Sequence, residues 1–477
     1  MLKSFFAEKE IKARLYRIRE TDTHIFDLLI EKIEFNKYIR FRKTVRQLLR
    51  KMLTMGIKGS LKGLSSKDII NSPSNKKKVI FVTGLPTFNL VGISIYLRKT
   101  GKFETILLTE NPLLVGFFKQ YFDRVYVYNS YYDVSRILIT SKPYIVHIQG
   151  SLQCYFLGVI AKCLSSACII IGLNDIPSLT ELSEEYREKL WGKSDDARLD
   201  YFSEEFLFKR VDGIILTMNT FVAGDKLRLL HESTVPLLEF PTYVCDEFLS
   251  EEEKYSLKDG NIHLVYGGIV VPSDKPMELF GDNQFIALAK KLTNQGLCFH
   301  LYLSPHFSPL QIKKLFPDYL QLAAETTNFT FKKGMPQDQA IKEFSRYDFA
   351  TMISIFNGMK LNTFHWNTSI PSKFFTYLSA GLPVIVSEEH GNISALVRKY
   401  ECGIVVNQKD LDNLFGIIKQ HDYEKLKANV KKASEELSVK KHIGRLIEFY
   451  DRIYAAKVLK QEARQSEVLT VNQLLKE

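Results

Sequence analysis

The chain lacks the features that mark several large protein classes. It has no CxxC pair, no histidine at zinc-ligand spacing, and only six cysteines in 477 residues: Cys154, Cys163, Cys168, Cys245, Cys298 and Cys402. Most of them lie beside apolar residues. They read as reduced core thiols of a cytosolic protein, with a disulfide framework or a metal site as the minor alternative. No apolar run follows a basic start, because Met1 to Glu20 mixes charges throughout, so a secretory leader is not expected. No membrane-spanning run is expected either. The most apolar stretch, Leu152 to Gly172, is broken by Lys162 and by Ser165-Ser166, and reads as a buried helix followed by a strand. With 45% hydrophobic residues, 25% charged residues and 15 prolines, what remains is an ordinary globular composition.

The body of the chain also lacks a charge excess. Of the formal net charge of +11, residues 1–78 supply 20 Lys/Arg against 8 Asp/Glu, whereas residues 79–477 hold 45 against 46. A nucleic-acid enzyme carries positive charge over its working surface, so a neutral body argues against DNA or RNA as partner. The basic head reads as a helix over 21–55, with Tyr38, Phe41, Val45, Leu48, Leu49 and Met52 at three- and four-residue steps and Lys or Arg around them. A Gly/Ser/Lys-rich linker over 56–78 follows. Such a helix suits anionic lipid headgroups through residues 1–60, or packs its apolar face on the body or on another copy.

From residue 79 the pattern changes to short apolar runs separated by helical segments. The runs are VIFVTG (79–84), TILLT (105–109), RVYVY (124–128), YIVHIQG (144–150), CIIIG (168–172), GIILT (213–217) and VPLLEF (235–240). After a polar stretch come HLVYGG (263–268), FHLYLS (299–304), FTFKKG (329–334), FATMIS (349–354), PVIVS (383–387) and GIVV (403–406). Continuous Val/Ile/Leu runs alternating with helices predict parallel strands covered on both faces. The expected fold is α/β: two tandem Rossmann-like doubly wound domains, 76–250 and 251–425, after a basic helical extension over 1–75. Helices over 426–477 are expected to cross back in part to the first domain. Ligands of such sheets bind beyond the carboxyl ends of the strands, which points to the cleft between the domains.

The segment 370–406, IPSKFFTYLSAGLPVIVSEEHGNISALVRKYECGIVV, resembles the donor-binding signature of GT-B glycosyltransferases. Shared elements are Pro-x-Lys opening a helix, Tyr-Leu-x-Ala-Gly-x-Pro-Val-Ile at a helix-to-strand turn, a Gly at the next helix start and a closing Gly-Ile-Val-Val strand. The resemblance implies two facing Rossmann-like domains and sugar transfer from a nucleotide donor, here a UDP-sugar, with no cofactor beyond that substrate. It implies donor contacts from Ser372, Lys373, Thr376, Tyr377, His390, Gly391 and Asn392. Gly391 would let backbone N–H groups approach phosphate, and the helix N-terminus would add its partial positive charge. Two glutamates eight residues apart frame this helix in many retaining members. Thr368 and Thr376 stand at those positions here. Gly268 replaces a customary Arg after the first strand of the second domain, while Lys275 fits either the Lys of the following loop or an exposed turn.

In the acceptor half, His147 stands where similar enzymes place a His, either as a catalyst or as a packed strand-end residue. Asn174 and Asp175 follow the apolar strand CIIIG and resemble the Gly-Ser-Asp or His-Asp loop of the family. Asp175 serves either as general base toward an acceptor hydroxyl or as a helix cap. No DxD-like pair lies beside the donor segment, so no metal is expected, and Lys373, Lys275 and helix N-termini would hold the leaving diphosphate. The expected activity is a cytosolic-side glycosyltransferase of surface-glycan synthesis, peripheral on the membrane, acting on a glycan or lipid-linked acceptor. A catalytically silent GT-B scaffold that binds a partner is the alternative.

Overall fold

A computed structural model describes residues 75–474 except 85, 111–114, 129–132, 135–136, 139–140, 151–153, 175, 181–193, 306 and 356–362. The basic helix expected over 21–55 and most of its linker lie outside the described residues. So does Asp175.

Among the described residues thirteen strands form two parallel sheets. The first holds β1 (Lys77–Thr83), β2 (Phe103–Thr109), β3 (Arg124–Val127), β4 (Ile145–Gly150), β5 (Cys168–Leu173), β6 (Gly213–Leu216) and β7 (Leu237–Glu239), in the order β3-β2-β1-β4-β5-β6-β7. The second holds β8 (His263–Gly267), β9 (Cys298–Tyr302), β10 (Phe329–Lys332), β11 (Phe349–Met352), β12 (Val384–Ser387) and β13 (Gly403–Val406), in the order β10-β9-β8-β11-β12-β13. Each apolar run supplies one strand. β2, β4 and β5 are buried at every position, as strands covered on both faces must be. Lys77 and Lys78, expected in the linker, instead open β1, because Lys77 pairs with Phe103 in the parallel ladder. In each sheet the strand order reverses beside the first strand, β1 or β8, and that reversal opens a crevice at the carboxyl edge.

The chain leaves the first domain through Tyr243, which takes a left-handed φ of 51°. The adjacent Val244 donates from N to Leu437 O at 2.8 Å and accepts at O from Val439 N at 2.7 Å. These bonds pin the crossover to the break between the helices Tyr423–Glu436 and Val439–Leu474. The second of these helices continues to Leu474, the last described residue, in keeping with the helices expected over 426–477.

This last helix returns to the first sheet. Val439, Ile443, Leu446, Phe449, Tyr450 and Ile453 enter one core with Val79, Phe81 and Ile170. Gly213 permits the approach: a Cβ there would lie 2.9 Å from Phe449 Cζ. Lys457 and Lys162 each reach Asp212 at 2.9 Å. Burial works against that carboxylate, but the two ammonium groups hold its pKa below the ordinary value. Among the described residues no helix is long and apolar enough to cross a membrane.

Candidate active site

At the carboxyl edge of the second sheet, β8 ends in Gly267 and the helix Ser372–Ser379 begins behind Pro371, whose missing N–H suits a helix start. No side chain caps that helix, nor the helix Gly391–Tyr400, so both leave first-turn N–H groups at the same edge. Lys373 projects from the first turn over the Tyr266 ring, with its Nζ 4.6 Å from the centroid and donating to Tyr266 Oη at 2.9 Å. Among the described residues no carboxylate lies within ion-pair distance of it. Burial lowers its pKa, and Asp282 partly opposes that.

Asp282 is buried beside this cation. Desolvation pushes its carboxyl up to about 7, against the pull of Lys373. Its Oδ1 has no hydrogen-bond partner among the described residues, and neither do the buried Ser369 Oγ and Glu389 Oε2. Ser354 Oγ donates to Asp282 O at 3.1 Å and lies 3.4 Å from His390 Nε2, while Ser354 N donates to Ser387 Oγ at 3.1 Å. The carboxyl ends of β8, β11 and β12 thus line a polar pocket in which, among the described residues, the Lys373 cation stands near acceptor atoms without partners. Such atoms are rare in folded proteins and are completed by water, an ion or a ligand.

The residues singled out in the sequence divide between this pocket and its walls. Lys373 and His390 are at the pocket, and Ser372, the first residue of the helix, is exposed. His390 is buried against Trp366, ring centroids 5.3 Å apart, and desolvation lowers its pKa to about 3, so the ring is neutral. Tyr377 is a wall: its Oη accepts from Gly267 N at 3.1 Å and fastens the helix to β8. The Thr376 hydroxyl accepts from Gln337 Nε2 at 2.7 Å, and the Thr368 hydroxyl donates to Phe364 O at 2.8 Å, so both glutamate-replacing threonines bond within the protein. Gly268 N donates to Tyr302 O at 3.1 Å. Lys275 is exposed, 3.6 Å from Asp274, as a turn residue is.

Gly391 serves a close approach different from the expected one. A Cβ there would lie 3.0 Å from Asn367 Oδ1 and 3.1 Å from its carbonyl, so the glycine admits the helix Thr363–Thr368. Asn392 faces the other domain: its Nδ2 donates to Thr368 O, and its Oδ1 accepts from Asn219 Nδ2 at 3.3 Å. With Asn219 N donating to Thr368 O at 3.1 Å and a Met218–Ser369 bridge, these residues close one side of the cleft.

In the first domain His147 does not reach the cleft. It is the third residue of β4, in the buried middle of the strand, and Nδ1 lies 2.6 Å from Tyr450 Oη on the last helix. A Cβ on Gly172 would lie 2.8 Å from His147 Nε2, and desolvation lowers the pKa to about 3. The residue at the strand's end is Gln149, whose Oε1 accepts from both Thr87 N and Thr87 Oγ1 at 3.1 Å across the crevice between β1 and β4. Asn174 stands half-buried past β5, its N donating to Gly150 O at 3.0 Å. Glu110, one residue past β2, folds its carboxylate over the end of β1: a Cβ on Gly84 would lie 2.7 Å from Glu110 Oε1.

Sequence reasoning missed Asp282, Ser354, Glu389 and Glu110. Ser354 and Glu110 follow the apolar cores of their runs, FATMI and TILLT, and a polar residue there is a readable signal. Asp282 sits in a short turn, Gly281–Asn283, that no spacing rule marks.

Two facing Rossmann-like domains joined by a crossing terminal helix define the GT-B glycosyltransferase fold, and this chain has it. Residues 309–448, which contain Lys373 and His390, match the family described as glucosyltransferase 3-like, C-terminal domain. Two solved structures share the architecture. One is HepE of Anabaena in complex with UDP, at 12% identity and TM-score 0.56, covering 79% of this chain and 100% of that one. The other is a glycosyltransferase from Rickettsia africae, at 12% identity and TM-score 0.52, covering 80% and 99%. No curated protein matches the chain in sequence.

Proposed function

We propose that this protein transfers a sugar from a nucleotide-diphosphate donor, a UDP-sugar, to a hydroxyl of a glycan or lipid-linked acceptor. The observation that carries the reading is the second-domain pocket, where Lys373 stands beside two uncapped helix N-termini and buried acceptor atoms without partners. A leaving diphosphate needs fixed positive charge in a site shielded from water, and this pocket provides it. Buried carboxylate and hydroxyl oxygens beside it suit the hydroxyls of a ribose or sugar. The UDP bound in the similar HepE structure and the family match over 309–448 favour the same donor class. In this reading Ser372, Lys373 and His390 line the donor site, with no cofactor or metal required for the charge.

On the acceptor side the proton of the attacking hydroxyl goes to Asp175 or Glu110, with Asn174 and Gln149 orienting the hydroxyl. The deciding experiment is mass-spectrometric screening of transfer and hydrolysis with a panel of UDP- and GDP-sugars. We expect turnover with one UDP-sugar and its loss in Lys373→Ala. No donor binding, and no effect of that substitution on any turnover, would sink the proposal.

A second reading, a silent scaffold that binds a partner, is favoured by one observation: the threonines in place of the framing glutamates have their hydroxyls engaged within the protein. Partner binding with no thermal shift from any nucleotide sugar would select it. For a lipid-linked acceptor the basic residues 1–60 would hold the enzyme at an anionic cytosolic surface. Deleting them should abolish salt-sensitive co-sedimentation with anionic liposomes, and unchanged sedimentation would remove the membrane role.

A further inference from the structure

The opposite, amino-terminal edge of the second sheet carries a cluster that the glycosyltransferase reading does not use. His263 opens β8 and Cys298 opens β9, and the two are direct register partners in the parallel ladder. Alternation places His300 on the same side of β9 as Cys298. Asp259 ends the short helix before β8, and the left-handed Gly260, φ +75°, turns the chain so that the carboxylate faces His263, with both oxygens 3.1 Å from Nε2. The ligating atoms of Asp259, His263 and Cys298 all lie within 4.8 Å of one another.

We propose that Asp259, His263 and Cys298 form a binding site for a zinc-class divalent cation. Bond lengths of about 2.0–2.3 Å to N, O and S put tetrahedral ligand atoms about 3.3–3.8 Å apart, so the N–O separation is near its value and the thiol, within 4.8 Å of both partners, has at most about 1 Å to close. The mixed oxygen, nitrogen and sulfur set excludes magnesium and calcium, which take oxygen. Asp259 is exposed, so water has access to the fourth position.

The surroundings of His263 are those of a ligand imidazole. Its Nδ1 lies 2.9 Å from His300 Nε2, and His300 Nδ1 lies 2.8 Å from Thr330 Oγ1, its register neighbour on β10. The His263 and His300 rings stack at 5.1 Å and 22°. With His263 Nδ1–H donating to His300, the Nε2 lone pair faces the Asp259 carboxylate and a cation belongs between them. The second partner on the remote ring nitrogen fixes ring orientation, as it does for metal-bound histidines. The bound ion would clamp the ends of β8 and β9 to the helix Ser256–Asp259, on the edge away from the cleft. In the metal-free alternative a proton on Nε2 takes the place of the ion.

The test uses the full chain, stripped with chelator and reloaded with Zn²⁺ or Co²⁺ alone. We expect one equivalent of metal retained through desalting and, with Co²⁺, the near-ultraviolet charge-transfer band of a thiolate ligand. Cys298→Ser and His263→Gln should lose both, and Cys245→Ser, at a buried cysteine elsewhere, should keep both. His300→Phe should weaken affinity about 10- to 100-fold without removing the band at saturating Co²⁺. If the buried substitutions disturb folding, Asp259→Ala, at an exposed position, carries the test through the loss of retained metal. No retained metal in the wild type, or equal retention in the Asp259, His263 and Cys298 variants, would overturn the proposal and leave the proton-bridged pair. Either result is independent of the transferase activity.

Discussion

The two sheets reverse strand order in the same way, yet they treat polar residues at their carboxyl edges differently. In the first, His147 is satisfied by Tyr450 and Gln149 by Thr87, and at that edge Asn89 Oδ1 is left without a partner among the described residues. In the second, Asp282, Ser369 and Glu389 each hold a buried oxygen without a partner among the described residues, where Lys373 also lacks a carboxylate within reach. A half that leaves such groups unanswered is preorganised for a ligand of fixed chemistry. A half that satisfies them leaves recognition to the crevice residues that remain, Asn89 with its unpartnered Oδ1, Glu110 and the loop after β5.

The sharpest way to break this contrast is at the base. If the first domain supplies general-base catalysis, Glu110→Gln or Asp175→Asn should lower kcat by about 10²–10⁴ with donor KM little changed. Steady-state kinetics on both variants would identify which carboxylate acts, and two unimpaired variants would remove the base from this domain. Next in size is Lys373→Ala, expected to reduce kcat by about 10²–10³, as loss of one preorganised charge donor does. Lys275→Ala, at an exposed turn, should change it less than about tenfold. Equal effects of the two lysines would contradict the pocket assignment.

The two-sheet architecture was legible because its signal is repetitive: thirteen apolar runs bounded by helices leave few arrangements other than parallel sheets. The site was legible only where a motif spells it out. Pro371-Ser372-Lys373 marked the helix start from which Lys373 reaches Tyr266, yet the same motif gave no hint of how Tyr377 and Gly391 pack, since that depends on Gly267 and Asn367 arriving from elsewhere in the chain. His147 misled because it shares its face of β4 with Gln149 but lies one step deeper, where the last helix covers it, and only Gln149 reaches the carboxyl edge. The Asp259–His263–Cys298 cluster escaped every spacing rule because a strand-to-strand crossover, not local sequence, brings Cys298 beside His263.

A third prediction addresses the cost of the preorganised half. Asp282 is held neutral up to about 7 by burial, whereas an unfolded aspartate ionises near 4. The unfolded chain therefore loses its proton first as pH rises, and Asp282 destabilises the fold progressively between those values, by up to roughly 4 kcal/mol above pH 7. Asp282→Asn should raise stability at pH 8 and change it little below pH 4, measured by urea unfolding across that range. A flat difference would mean that Lys373 already neutralises the carboxylate by pairing.

The smallest effect belongs to His147, and it tests the closed half of the comparison. Burial keeps this ring neutral down to about pH 3, while an unfolded histidine takes up a proton near 6.5. Stability from His147 is therefore present above about pH 6.5 and lost as pH falls toward 3. His147→Phe removes that acid sensitivity but orphans the Tyr450 hydroxyl, which costs about 1–3 kcal/mol at neutral pH. Restoring a carboxamide with His147→Gln should recover part of that loss. In both variants kcat and donor KM should stay within about twofold, because a group packed between the first sheet and the last helix touches neither substrate. A large fall in kcat without loss of stability would return His147 to the catalytic machinery and erase the distinction between the two sheets.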